Sequence, residues 1–136
     1  MIFSSYVPLF EHWAPLVARC FLAISFLFSA TGKIPGSESF MYVVGMSTDA
    51  GLPFASVMVT LAFILEIICS GMLIIGLHTR IAAVLLAVFT LLIALTFVRN
   101  LNDPTQMTIL FSCMNLTAGL LYIAVYGAKT LAVRPD

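Results

Sequence analysis

The chain has 136 residues, of which 62% are hydrophobic and 9% are charged, and its formal net charge is zero. A soluble domain is about half apolar and about a quarter charged, so a globule of this size could not bury the excess of apolar side chains. The absence of net positive charge also argues against nucleic acid as a partner. The lipid bilayer is therefore the predicted solvent.

Four apolar stretches, each long enough to cross a bilayer, follow one another along the chain. A crossing needs about 20 apolar residues. The predicted helices cover residues 14–33, 54–77, 80–98 and 107–126, the first with Pro15 in its opening turn. Residues 37–51 fit either a short interfacial helix or re-entrant cap, or a plain loop. These assignments predict an all-α integral membrane protein, an antiparallel four-helix bundle that forms one transmembrane domain over residues 1–136.

The basic residues give a slight asymmetry between the two sides of the predicted bundle. Four crossings place both termini on one side, together with Arg80, Lys129 and Arg134, whereas Lys33 and Arg99 fall on the other. Under the positive-inside rule this distribution predicts cytoplasmic termini.

One stripe of small residues runs along the third predicted helix. Its members lie four, seven and eleven residues after the first. Small residues let neighbouring backbones approach closely inside a membrane. The stripe is therefore predicted to be structural packing, and it consists of Ala83, Ala87, Thr90 and Ala94.

Two ionisable residues, Arg19 and Glu66, lie within the apolar stretches. An unpaired charge at the bilayer centre costs on the order of 3 kcal/mol, so each should face protein, water or an opposite charge. Helical depth, counted from the predicted helix ends, places the two side chains within reach of each other. We therefore predict an Arg19–Glu66 salt bridge inside the bundle.

Other polar side chains lie on the same predicted helix faces. Ser29 and Lys33 share the Arg19 face of the first helix, and Ser112 and Asn115 share a polar face of the last. The sequence predicts that three helices direct polar groups at a common centre. This centre could either fix helix register or hold a polar head group and pass a proton, with Glu66 as the candidate proton-transfer residue.

The three cysteines lie in three different apolar stretches and lack the spacing of metal ligands or of a disulfide framework. No metal site is predicted. No motif for haem, flavin or an iron–sulfur cluster was found either.

Several short motifs occur in an order that resembles the DoxX family of small bacterial membrane proteins. Arg19 is followed by Ser29-Ala30-Thr31-Gly32-Lys33, and Gly51-Leu52-Pro53 leads into the helix that carries Glu66. Gly76-Leu77-His78-Thr79-Arg80, Asn115-Leu116 and Gly119 complete the pattern. The family often has Lys-Asn where this chain has Met114-Asn115, and a second glycine where it has Leu120.

The resemblance implies a multi-pass protein of the bacterial inner membrane, related to the DoxD subunit of thiosulfate:quinone oxidoreductase. We expect a membrane subunit of a redox system, without a self-contained catalytic motif, in which a quinone is the candidate ligand. The binding candidates are Arg19, Ser29, Lys33, Glu66, Ser112 and Asn115. The expected partners are the lipid bilayer and either other membrane or redox proteins or further copies of the chain. The alternatives are a non-enzymatic scaffold or assembly subunit and, third, a small transporter.

Overall fold

The computed structural model describes residues 7–128 and 132–133, with the backbone alone for residues 7–9. Lys129 and Arg134, which entered the prediction of orientation, lie outside the described residues. The described chain forms five helices, α1 (Val7–Thr31), α2 (Glu38–Asp49), α3 (Ala55–Ile75), α4 (Thr79–Phe97) and α5 (Pro104–Tyr126).

The four long helices are apolar enough to cross a membrane. Candidate spans cover Phe10–Thr31, Ala55–Ile75, Thr79–Phe97 and Pro104–Tyr126. Their outward surfaces carry large aliphatic and aromatic side chains, such as Phe28 on α1 and Leu95 on α4, each nearly four-fifths exposed. Such a surface suits hydrocarbon and not water. The predicted all-α membrane bundle is confirmed.

Helix α1 begins at Val7 and not near Ala14, so the predicted start is wrong and Pro15 lies inside the helix. Proline removes one backbone hydrogen bond, but transmembrane helices tolerate it where the surroundings compensate. The residues before Pro15, among them the apolar Phe10 and Trp13, continue the helix towards its start, and the candidate span begins at Phe10.

Helix α5 begins three residues before the predicted Met107. Asp103 caps it, its side chain accepting a 2.9 Å hydrogen bond from the Thr105 N–H, and Pro104 occupies the first turn. Asp followed by Pro is a favourable helix start, because the cap satisfies a free N–H and proline lacks one.

The segment after α1 contains the helix α2, one of the two alternatives left open by the sequence. Ser37 caps it through a 3.0 Å bond from the Phe40 N–H, and Phe40 and Ser47 are buried. At its other end the Arg99 side chain donates to the carbonyl of Ala50. Helix α2 is thus capped at its start, bonded to Arg99 at its end, and packed on α3.

Neighbours in the bundle follow the order α1, α3, α4 and α5, and α1 meets α5 less extensively. The core includes Ala23 and Phe26 of α1, Leu73 of α3, Leu86 of α4 and Leu120 of α5. The small-residue stripe of α4 faces the interior: Ala83, Ala87, Thr90 and Ala94 are all buried.

The turns define two sides of the bundle. The α2 side holds α2 and the α4–α5 connection. The opposite side, here called the terminal side, holds the start of α1, the turn between α3 and α4, and the end of α5. There the N–H of Val133 bonds to the carbonyl of Ile75 over 3.1 Å.

Candidate functional site

An ion pair between Lys33 and Glu66 lies inside the bundle. The Lys33 ammonium lies 2.8 Å from Glu66 Oε1, 2.9 Å from Oε2 and 2.7 Å from the Ser29 hydroxyl oxygen. Ser29 in turn donates to Glu66 Oε1 over 3.3 Å. Only 1% of the Glu66 side chain and 13% of the Lys33 side chain are exposed. We call these three residues the ion-pair centre.

The direction of side chains on a helix explains how Lys33 enters the bundle. Lys33 follows the end of α1, and its N–H still bonds to the Ala30 carbonyl over 2.9 Å. Side chains on a helix tilt towards its N-terminus, so the lysine runs back over Ser29, four residues earlier. Glu66 lies about 16 Å along α3 from its α2-side start. The long lysine chain therefore carries its charge to the depth of the carboxylate.

The predicted Arg19–Glu66 salt bridge is wrong, because Glu66 pairs with Lys33. Helices α1 and α3 run antiparallel, and Ser29 lies beside Glu66 while Arg19 lies beside Gly76. Arg19 precedes Ser29 by ten residues, as Glu66 precedes Gly76. Ten helical residues span about 15 Å, so this register separates Arg19 from Glu66 by more than the side chains can close.

Arg19 packs instead at the terminal end of α3. It is 1% exposed, and its Nη1 lies 2.8 Å from the point that a Cβ on Gly76 would occupy. The C-terminus of a helix carries partial negative charge, which favours a cation there. Arg19 therefore belongs to the packing of α1 against the end of α3 and lies apart from the ion-pair centre.

Asn115 and Ser112 do not join the other predicted site residues. Both are exposed on α5, whose buried residues are Cys113, Thr117, Leu120 and Ile123. The predicted common centre of three helices therefore reduces to Ser29, Lys33 and Glu66. On α5, Ser112 and Asn115 therefore lie on a different face from the residues that pack into the bundle.

An apolar pocket of about 290 Å³, open on one side to the outside of the bundle and called the cavity below, adjoins the ion-pair centre. Lys33 is the one charged residue among the described residues that line it. Ala62 and Leu65 also line the cavity, and both lie on α3 within four residues of Glu66. The remaining lining comes from α2, the α2–α3 connection, the α2-side half of α3 and the α2-side half of α4: Val43, Ser47, Leu52, Met58, Val59, Leu61, Phe89, Leu92, Ile93, Thr96 and Phe97.

The volume and lining of this cavity suit a small apolar molecule with one polar end. Small-molecule sites are mostly apolar, with a few placed polar groups, and typically start at about 300 Å³. An ammonium group can donate to a carbonyl or an anionic oxygen, and a buried carboxylate can exchange a proton. The cavity and the ion-pair centre together could therefore hold a ring with a carbonyl and move a proton to or from it.

Sequence reasoning missed the pairing of Lys33 with Glu66 and the contribution of α2 to the cavity. A usable signal was the four-residue spacing of Ser29 and Lys33, which directs a lysine at a helix end back along that helix. No comparable signal marked Val43 and Ser47, since their position depends on how α2 folds back over α3.

The described cysteines are free, and Cys69 and Cys113 are buried. Within residues 7–128 and 132–133, no group of three or more His, Cys, Asp or Glu side chains could hold a metal ion.

Four apolar crossings, a membrane-flanking helix and an ion pair buried between two of the crossings define a multi-pass helical membrane protein. The sequence model of the DoxX family matches residues 14–99, and the chain belongs to that family. The match covers α1 from Ala14 onward, α2, α3 and α4, and therefore includes the ion-pair centre. No curated protein and no solved structure gave a significant match to the chain.

Proposed function

We propose that this DoxX-family protein is a membrane subunit of a quinone-linked redox system in the bacterial cytoplasmic membrane. The observation that carries the proposal is the Lys33–Glu66 ion pair, in which the lysine lines an apolar cavity. A bound quinone would supply the electron-carrying chemistry. The chain itself, as one transmembrane domain, would supply binding, orientation and a proton path.

The ion-pair centre gives each residue a role in this proposal. Lys33 donates to a ligand carbonyl in place of its bond to Ser29, and Glu66 accepts or donates the proton. Val59, Ala62 and other apolar lining residues exclude water from the ring, which strengthens both polar interactions. Arg19, Ser112 and Asn115 are not part of this proposed site, because the fold places them elsewhere.

Ligand binding can be tested with a short-chain quinone and purified protein in lipid nanodiscs, by calorimetry. Ala62→Phe should fill part of the cavity and raise the Kd at least about tenfold. Val88→Phe, on the exposed face of α4, serves as the control and should leave the Kd unchanged. Absence of quinone binding by the parent protein, or equal effects of the two substitutions, would contradict the proposal.

The role of Glu66 can be separated from binding. Glu66→Gln keeps the shape of the side chain but removes its charge and its exchangeable proton. We expect quinone to bind still. When an added chemical reductant supplies two electrons to the bound quinone, two protons are taken up to give the quinol, and the rate of that uptake, followed with a pH-sensitive dye in the nanodisc sample, should fall at least about tenfold. Unchanged proton uptake would exclude Glu66 as the proton-transfer residue.

A scaffold or assembly subunit is the second candidate, and one observation favours it. The three acceptor atoms around the Lys33 ammonium match its three N–H donors, so the centre is internally satisfied. A scaffold should co-purify with a membrane partner in mild detergent. The paired change Lys33→Met with Glu66→Leu should then preserve that complex, whereas a quinone site would be lost.

A further inference from the structure

Helix α5 presents a regular row of residues to the outside of the bundle. Thr108, Phe111, Asn115, Ala118, Tyr122 and Val125 are all exposed and follow one another at alternating steps of three and four residues. We call this row the α5 seam. A 3.5-residue repeat is the spacing at which two helices pack side by side over several turns.

Asn115 lies at the midpoint of α5, about 16 Å from either end of the helix. Its side chain is exposed and makes no hydrogen bond with the residues that the structure describes. An amide at this depth faces hydrocarbon, where nothing can hydrogen-bond to it, and that exposure is unfavourable. The amide therefore requires a partner from outside the described chain.

The buried residues of α5 point elsewhere. Cys113 and Leu120 lie about 160° and 140° around the helix from Asn115, and they pack into the bundle. The amide therefore cannot turn inward without rotating α5 out of its packing on α4. The seam is free for a second helix while the bundle stays intact.

We propose that the α5 seam is the interface of a two-fold symmetric dimer, with Asn115 of one copy hydrogen-bonded to Asn115 of the other. Copies inserted in the same direction and related by an axis along the membrane normal bring their α5 helices together in parallel. Each seam residue then faces its own equivalent. An amide is both donor and acceptor, so two identical asparagines satisfy each other, and a single asparagine in such a seam fixes pairing and register.

Cross-linking in native membranes tests the geometry. In a background in which Cys20, Cys69 and Cys113 are replaced by alanine, Ala118→Cys places a thiol in the seam and leaves Asn115 in place. Val88→Cys is the matched control, because Val88 is exposed at the midpoint of α4. Oxidation should give at least about fivefold more disulfide dimer for Ala118→Cys than for Val88→Cys.

The energetics can be tested separately by measuring dimer fraction in liposomes at decreasing protein-to-lipid ratio. Asn115→Leu should raise the dissociation constant about threefold to tenfold, the range expected for one interhelical amide pair. Val88→Leu should leave it unchanged. Helical content and thermal unfolding of each variant report whether the monomer fold is retained.

Three outcomes would overturn the proposed dimer. Equal cross-linking from both positions would indicate random collision. A protein that stays monomeric at every ratio would show that lipid alone covers the seam. An Ala118→Cys adduct heavier than two copies, or containing a different chain, would assign the seam to another membrane protein.

Discussion

At the scale of single residues, the buried Glu66 carboxylate depends on the ammonium of Lys33. Either charge left alone among apolar helices would be unfavourable, whereas the pair with Ser29 satisfies both. The stability that the pair contributes is therefore visible mainly when one partner is removed.

Removal of one partner should destabilise the fold more than removal of both. Lys33→Met alone should cost about 3 kcal/mol, since it leaves Glu66 buried without a counter-charge, and the further change Glu66→Leu should recover most of that loss. Reversible unfolding in mixed micelles measures these differences. Asp49→Asn, at an exposed position of α2, is the control. A double variant as unstable as the sum of the two singles would contradict this account.

Gly76 ends α3 at a place where a side chain cannot fit. Its φ is +78°, and an added Cβ would lie 2.5 Å from the Cβ of Ala132 and 2.8 Å from the Arg19 guanidinium. Gly76→Ala should therefore destabilise the protein by at least about 2 kcal/mol.

Gly71 offers a matched control within the same helix. Nothing lies within 4 Å of the position that its Cβ would take. Gly71→Ala should be neutral or slightly stabilising, because alanine favours helix more than glycine does. Thermal unfolding of both variants in one detergent gives the comparison, and equal losses would show that close approach at Gly76 is not the cause.

At the scale of elements, Arg99 joins the α4–α5 connection to the end of α2. Its side chain donates to the Ala50 carbonyl, at the end of the helix where partial negative charge accumulates. Gln106 fixes the same connection by accepting 2.7 Å bonds from the N–H groups of Arg99 and Asn100. The end of α2, a helix that helps to line the cavity, is thus attached to a segment 49 residues later in the chain.

Loss of this attachment should loosen α2. Arg99→Ala should increase amide hydrogen exchange in the last turn of α2 about threefold to tenfold, with little change in α3. Leu101→Ala, in the same connection and exposed, should leave exchange in α2 unaltered. Mass spectrometry resolves amide exchange in the two helices. Unaltered exchange of α2 in Arg99→Ala would show that packing on α3 is enough to hold α2 in place.

The long helices were predictable from the sequence because a membrane crossing requires an uninterrupted apolar stretch, and α3 and α4 differ from prediction by at most two residues at each end. The pairing of polar groups was not predictable in the same way. The start of α1 was placed seven residues late, and depth counted along separate helices does not give their relative register. The sequence places Lys33 on the same face of the first helix as Ser29, as observed. The pairing of Lys33 with Glu66 depends on how α1 packs on α3, which the sequence does not give. The outward orientation of Asn115 likewise depends on which face of α5 meets α4.

At the scale of the whole molecule, an even number of crossings places the start of α1 and the end of α5 on one side. We propose that this side is cytoplasmic, as the distribution of basic residues predicts. The cavity then belongs to the outer half of the membrane, beneath α2, and the Glu66 carboxylate lies near the middle of the membrane.

A fusion and a labelling experiment test this orientation. Green fluorescent protein fused after Asp136 should fluoresce, since it matures in the cytoplasm and not after export in unfolded form. In the cysteine-free background, Ser39→Cys on the exposed face of α2 should react with a membrane-impermeant maleimide in intact cells. A fusion protein that does not fluoresce, together with a Ser39→Cys variant that does not react, would establish the reverse orientation.

The two contacts that α1 makes with α3, Ser29 beside Glu66 and Arg19 beside Gly76, are separated by the same length on both helices. A single residue inserted between Arg19 and Ser29 would turn one contact about 100° away from α3 and move it about 1.5 Å along the axis. The chain could then keep the lysine contact or the arginine contact, but not both. The number of residues between Arg19 and Ser29 should therefore tolerate far less change than the identity of the side chains between them. A library of insertions, deletions and substitutions in this segment, screened for folded protein in the membrane, would measure that difference.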